Sequence, residues 1–186
     1  DERTTDQTAE IARRYGSVIF SGAGKLTAKN LGAQCAHGDI LIFVDADIDA
    51  KPNLFNLILR DFEDPEVIAV GGVGFWGTPI QQIGCIYSNA YWYPTTRMLV
   101  GYLTAVDKEA FWSVGGFDLS IDESNRGMVS NSEETEFSQK LQTIGKVIID
   151  TEASMMLTRS VNPCQFCISK NCDNAYCQQV RSAQRF

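Results

Sequence analysis

An apolar run, Ile40-Leu41-Ile42-Phe43-Val44, stops abruptly at two carboxylates, Asp45 and Asp47. Two hard oxygen donors at the end of a strand can hold a divalent cation that water and substrate phosphates complete. In an extended chain their i, i+2 spacing points both side chains the same way. The competing reading is a capped turn, in which short acidic side chains bond to nearby backbone. A second set of chemistry-bearing residues lies toward the C-terminus, where Cys164, Cys167, Cys172 and Cys177 follow one another at intervals of two, four and four residues. Four thiolates can close a tetrahedral zinc site and fold a short polar segment around it. Disulfides or reduced thiols are the alternatives.

Elements must position these groups. Five large apolar residues bounded by Gly38-Asp39 and Pro52 suit a strand buried on both faces, and ligands of open α/β sheets gather at the carboxyl ends of such strands. Upstream, Thr5-Asp6 before Ala9, Ile11, Ala12 and Tyr15, with Gly16 after, predicts a capped helix. Residues 17–20 read as a short strand and 21–25 as a flexible turn, and Thr27 could cap a helix through Ala36. Downstream, Pro52 fits the first turn of a helix with Leu54, Leu57, Ile58 and Phe62 on one face, broken at Asp64-Pro65. Residues 67–73 form another apolar strand, while 74–104 show no clear period. Asp107 could cap a short helix through Trp112 that ends at Gly115-Gly116, and 119–132 read as a polar, mobile loop. Ser132 then caps a helix over 133–144, stopped by Gly145, and 146–150 form a final strand. Strands alternating with helices predict an α/β fold with a mostly parallel central sheet flanked by helices, followed by a short Cys-rich tail. Cys35 and Cys85, alone in apolar or helical patterns, read as buried small hydrophobes.

Bulk properties narrow the function classes. At 186 residues the chain can build one domain with a real core, and its 44% hydrophobic and 21% charged fractions are ordinary for a globular protein. A net charge of −7 and a pI near 4.7 argue against broad electrostatic binding of nucleic acid. An acidic protein that binds a phosphorylated ligand needs a metal or placed lysines and arginines. No stretch has the roughly eighteen apolar residues of a membrane span, and none reads as a signal peptide.

Several segments, in this order, resemble the family 2 glycosyltransferases, inverting enzymes built on a Rossmann-like, GT-A-type nucleotide-diphospho-sugar transferase fold. They are Thr4-Thr5-Asp6-Gln7-Thr8, Ala28-Lys29-Asn30-Leu31-Gly32-Ala33, Ala36-His37-Gly38-Asp39, Phe43-Val44-Asp45-Ala46-Asp47, Val70-Gly71-Gly72, Val114-Gly115-Gly116-Phe117-Asp118, Glu133-Glu134-Thr135-Glu136-Phe137, Gly145-Lys146-Val147 and Asp150. The resemblance spans roughly residues 1–158 and implies a hexosyltransferase-type catalytic domain there, with a donor half at 1–105 and an acceptor half at 106–158. It implies that Asp47 binds Mg2+ or Mn2+ on the donor diphosphate and that Asp45 contacts the nucleoside or the metal. Lys25 and Lys29 fall where basic residues near the nucleotide are expected, a solvated helix face being the other reading. Gly115, Gly116 and Asp118 would shape the donor-sugar and acceptor side. Where the family carries Glu-Asp at a helix start, this chain has Glu133-Glu134, so Glu134 is the candidate base and Glu133 its support. A plain role as helix-dipole partners is the alternative. His37, in a family-like turn, reads as structural.

The resemblance also predicts that the chain is a fragment. It has no initiator methionine, the family's first strand and nucleotide-cradling loop have no counterpart, and only Asp1 and Glu2 stand for the acidic turn that lines the base and ribose pocket. Implied partners are a nucleotide-diphospho-sugar and a glycan, lipid-linked or protein acceptor. The implied setting is the cytoplasm or the cytoplasmic face of a membrane. A sugar-phosphate nucleotidyltransferase and a non-catalytic binding module are the rival readings. The tail at 159–186 falls outside the family pattern, and its cysteine spacing matches a retroviral-type zinc knuckle with Cys in place of His. Arg159, Lys170, Arg181 and Arg185 make it basic, but Phe166 and Tyr176 are few aromatics for stacking bases.

Overall fold

The computed structural model describes residues 5–22, 24–75, 79–124 and 133–157. Five strands, β1 Ile40–Val44, β2 Ile48–Ala50, β3 Val67–Phe75, β4 Leu103–Asp107 and β5 Lys146–Leu157, form one sheet in the order β1-β4-β3-β5-β2. β1, β3 and β5 run in one direction. β4 runs against its neighbours β1 and β3, and β2 runs against β5. The α/β layering is as expected, but the sheet is mixed rather than mostly parallel in its pairing: among the described residues only the β3–β5 ladder is parallel. The cause lies in the stretch without periodicity. A parallel neighbour requires a crossover that returns the chain to the opposite end of the sheet. Here α4 (Pro79–Tyr87), a π turn (Ser88–Trp92) and α5 (Tyr93–Thr96) intervene, and β4 enters from the end at which β3 leaves.

Helices cover both faces. On one, α2 (Lys25–Cys35), α6 (Lys108–Ser113) and α8 (Glu133–Gln142) bury Leu26, Ala33, Phe111, Phe137 and Leu141 against Leu41, Phe43, Ala69, Val106 and Val147. On the other, α3 (Leu54–Asp61) sets Leu54 and Ile58 on Val70, Leu103, Ala105 and Met155. Leu57 and Phe62 pack at the edge of that second core, completing the apolar face expected for this helix. Each fully buried side chain of this size stabilises by roughly 1.5–3 kcal/mol relative to exposure. Four phenylalanines knit the first core, with ring centroids 5.4 Å apart for Phe43–Phe111, 5.1 Å for Phe43–Phe117 and 4.6 Å for Phe117–Phe137.

Local chemistry sets the ends of the elements. Asp107 caps α6, accepting from the Ala110 amide at 2.8 Å. The carbonyl end of α2 receives the Lys108 ammonium on Ala36 O at 2.6 Å. α2 begins at Lys25 rather than at Thr27, which lies inside the helix, and its N-cap is Gly24 at φ 119°. Asp6 accepts from the Thr8 amide at the start of α1 (Thr8–Ala12), which is shorter than expected. Residues 17–20 are not a strand: they join no ladder, and Ile19 and Phe20 are exposed. α7 (Leu119–Ser124) forms where a loop was expected, and β5 runs seven residues past the predicted end at 150. Cys85 is buried, but Cys35, the last residue of α2, is exposed.

One acidic cluster bears on stability. Asp61 ends α3 beside Arg60, whose guanidinium reaches Asp150 at 3.3 Å and Glu152 at 3.0 Å. Burial, with Asp150 nearby, pushes the Asp61 carboxyl above its ordinary value. A raised native pKa means that folding is favoured below the unfolded value near 3.8 and penalised as pH rises through the native one. Asp61→Asn is therefore expected to raise Tm at pH 7, with the gain shrinking as pH falls toward 4. Thermal unfolding across that range measures it.

Candidate functional site

The carboxyl end of β1, the amino end of β4 and the first turns of α2 and α8 meet at one place. β1 stops at Val44, and the Asp45 amide donates to Tyr102 O at 3.1 Å, so the chain leaving β1 is stitched to the chain entering β4. Ala46-Asp47 then turn into β2, so the extended geometry that would aim Asp45 and Asp47 in parallel does not hold. Both are half-buried, and the Asp47 carboxylate oxygens are enclosed. Among the described residues no three His, Cys, Asp or Glu side chains gather as a metal cage. Two half-buried carboxylates nevertheless suit Mg2+ or Mn2+, which take one or two protein carboxylates and draw the remaining ligands from phosphates and water.

Lys25 and Lys29 stand one turn apart on α2, on one face. Lys29 is fixed from three sides: it donates to Gly101 O at 3.1 Å, lies 3.7 Å from Asp45 Oδ1 and sits 5.6 Å from the centre of the Phe117 ring. Burial lowers its pKa, and the Asp45 charge only partly offsets this. Lys25 is about half exposed and pairs with Glu133 Oε1 and, at 3.5 Å, with Glu134 Oε1. Burial opposes its charge, yet the two glutamates prevail and raise its pKa. The same contact acts on Glu133, where burial pushes the carboxyl up but the Lys25 ammonium draws it below the ordinary range.

Glu134 is held by its own helix. Residues Glu134, Ser138 and Gln142 fall at intervals of four on α8 and all face the segment 96–101. Gln142 Nε2 donates to Thr96 O and Arg97 O, at 3.2 and 2.9 Å. Buried Ser138 accepts from the Leu99 amide at 2.9 Å and donates to Glu134 O. The Glu134 carboxylate rests against Gly101, where an added Cβ would collide with Oε1 and stand 2.9 Å from Cδ. Sequence reasoning missed Gly101 and Ser138. The four-residue polar spacing on α8 is the signal that could have found Ser138, and nothing local singles out Gly101.

The other candidates fall nearby or outside. Gly115 and Gly116 both have positive φ, 87° and 69°, a turn that favours glycine. Asn30 clamps that turn to α2, accepting from the Phe117 amide at 3.0 Å and donating to Phe117 O at 2.8 Å. Asp118 is engaged with Ser120, whose amide and hydroxyl lower its pKa at the start of α7. His37 is exposed. Asp1, Glu2, Cys164, Cys167, Cys172 and Cys177 lie outside the described residues. A cleft of about 370 Å3 runs between α2 and β1, with Lys29, Ala33, Ala36, Leu41 and Phe43 among its lining residues. No described helix is long and apolar enough to cross a membrane.

Solved structures share this architecture. The mannosyltransferase PcManGT from Pyrobaculum calidifontis, solved with GDP-Man and Mn2+, is similar with a TM-score of 0.63 at 19% identity, over 98% of this chain and 50% of that one. GalNAc-T7, solved with UDP, GalNAc and Mn2+, is similar with a TM-score of 0.50 at 18% identity, over 72% of this chain and 30% of that one. The chain thus spans half the length or less of these two proteins. No curated protein matches it in sequence. The family pattern described as Glycosyl transferase family 2 matches residues 1–115, more than half of the chain and including Lys25, Lys29, Asp45, Asp47 and Gly101. The chain belongs to glycosyl transferase family 2.

Proposed function

We propose that this chain carries the catalytic domain of an inverting, divalent-metal-dependent hexosyltransferase, which moves a sugar from a nucleotide-diphospho-sugar to an acceptor hydroxyl of a glycan, lipid-linked or protein acceptor. The observation that carries this reading is the meeting of Lys25, Lys29, Asp45, Glu133 and Glu134 where β1 ends. The donors named in the two similar structures, GDP-Man and UDP with GalNAc, support the class of substrate, and their Mn2+ supports the metal.

Asp45 and Asp47 are the residues that would hold Mg2+ or Mn2+, which when bound offsets charge on the departing nucleoside diphosphate. Lys25 and Lys29 bring positive charge to the same phosphates, Lys29 from a fixed position and Lys25 from a more exposed one. Asp1 and Glu2 belong to the nucleoside side, and Gly115, Gly116 and Asp118 to the sugar and acceptor side. Inversion in a single displacement requires the acceptor hydroxyl to lose its proton as it attacks the anomeric carbon. Glu134 takes that proton, with Glu133 beside it orienting the charge. In this reading residues 1–158 are the catalytic domain and 159–186 a Cys-rich tail outside the family pattern.

Calorimetric titration of UDP- and GDP-sugars with Mn2+ tests the proposal. Asp47→Ala is expected to weaken binding at least about tenfold, the equivalent of losing roughly 1.4 kcal/mol, and to remove its sensitivity to chelator. Binding that ignores both Asp47 and the metal would sink the reading.

A further inference from the structure

The two lysines of α2 are held differently, and the difference has a functional meaning. Lys29, with its side chain 14% exposed, is fixed by a carbonyl, a carboxylate and an aromatic face. Lys25, at 49%, is the first residue of its helix, follows Gly24 at φ 119°, and has only Glu133 and Glu134 as ion-pair partners among the described residues. Among the described residues no side chain caps this helix end. The two glutamates need Lys25 less than it needs them. They sit in the first turn of α8, where the helix dipole favours negative charge, and Glu134 is further located by Gly101 and Ser138.

The charges that face one another here are Lys25 and Lys29 from α2, Asp45 after β1, and Glu133 and Glu134 from α8, with Tyr93 of α5 in electrostatic reach of Glu134. Carboxylates outnumber ammonium groups. A diphosphate arriving at the end of β1 adds further negative charge, and Lys25 is the nearby cation most able to move to it.

We propose that Lys25 is an exchangeable latch, pairing with Glu133 and Glu134 until a nucleoside diphosphate competes it away. The proposal rests on the functional reading above and deepens it. Two consequences follow. The Glu133 carboxylate competes with the donor for Lys25 and so weakens donor binding. Transfer of Lys25 to the phosphates also takes its ammonium away from the Glu134 carboxylate.

The test measures Kd for UDP and for GDP, each with Mn2+, on the full 186-residue chain as wild type, Glu133→Gln, Lys25→Met, Lys25→Arg and each Lys25 variant combined with Glu133→Gln. The latch requires Glu133→Gln to tighten binding of whichever nucleotide the wild type takes, by roughly two- to fivefold, the worth of a partly exposed ion pair. It also requires that gain to vanish in the Lys25→Met background and to persist with Lys25→Arg. Unchanged or weaker binding by Glu133→Gln, with wild-type binding intact, overturns the latch and leaves the functional reading standing. Equal tightening with and without Lys25 also overturns it, because the effect is then general charge relief. Absence of nucleotide binding by every form overturns the functional reading, and the latch falls with it.

Discussion

Glu134→Gln is expected to lower kcat for sugar transfer by about 10²–10⁴-fold while leaving donor affinity within a few-fold of wild type. A positioned general base contributes a factor of this size, and the amide keeps the shape of the side chain while losing its capacity to take a proton. The geometry makes the substitution clean. Ser138 bonds to the backbone of Glu134 rather than to its carboxylate, so the helix keeps its place on Leu99 whichever side chain is present. The carboxylate meets Lys25, Gly101 and the neighbouring Glu133 side chain. Initial rates with saturating donor, set beside donor binding by calorimetry, separate the chemical step from binding. A variant with wild-type kcat would remove Glu134 from the role of base.

Gly101→Val is expected to cost about a hundredfold in kcat with the fold preserved. The Cβ of any other residue at 101 would collide with Glu134 Oε1, so the carboxylate must move by about 1 Å. Displacements near 1 Å of a catalytic group carry penalties of this order. The backbone itself tolerates the change, since φ at 101 is not in the left-handed region. The carbonyl that receives Lys29 therefore stays in place. Circular dichroism and thermal unfolding check the fold, and the kcat ratio of Gly101→Val to Gly101→Ala reads how far the carboxylate is pushed. Equal rates for wild type and Gly101→Val would show that the position of Glu134 does not matter to the chemistry.

Much of this site is legible in the amino-acid sequence, because its parts lie on elements with strong local signals. The apolar run 40–44 is β1 to the residue, Asp107 caps the helix that its position predicts, and Glu133-Glu134 open α8. The connection among them is what local patterns do not carry. β4 is five residues long, with Thr104 and Ala105 at its centre, and it follows a π turn and Arg97 at φ 54°, so no apolar period announces it. Without β4 the sheet reads as parallel, and the approach of Gly101 to Lys29 and Glu134 is invisible. The reverse error falls at residues 17–20, where β-forming side chains lack a partner strand and Arg13 lies 5.8 Å from the Phe20 ring instead. Strand propensity describes fitness for a ladder, and a ladder has to be available. The extended geometry assumed for Asp45 and Asp47 is absent for a related reason, since the chain turns at Ala46 to begin β2.

The insertion of β4 against its neighbours has a consequence for how the molecule comes together. Val44 pairs with Leu103, and Val67 with Lys146, so these two ladders join stretches far apart in the chain. Every such ladder closes a long loop before any contact rewards it, and proteins dominated by such pairings fold slowly. Lys29, Asp45 and Gly101 meet once β1 and β4 have paired, and Glu134 joins them from α8. On a ribosome that order is enforced by synthesis: β1 waits with an open edge until β4 has emerged, and Glu134 reaches its seat only after the stretch that receives it. The charged cluster therefore forms late, and its integrity reports that β1 has found β4 and that α8 has docked.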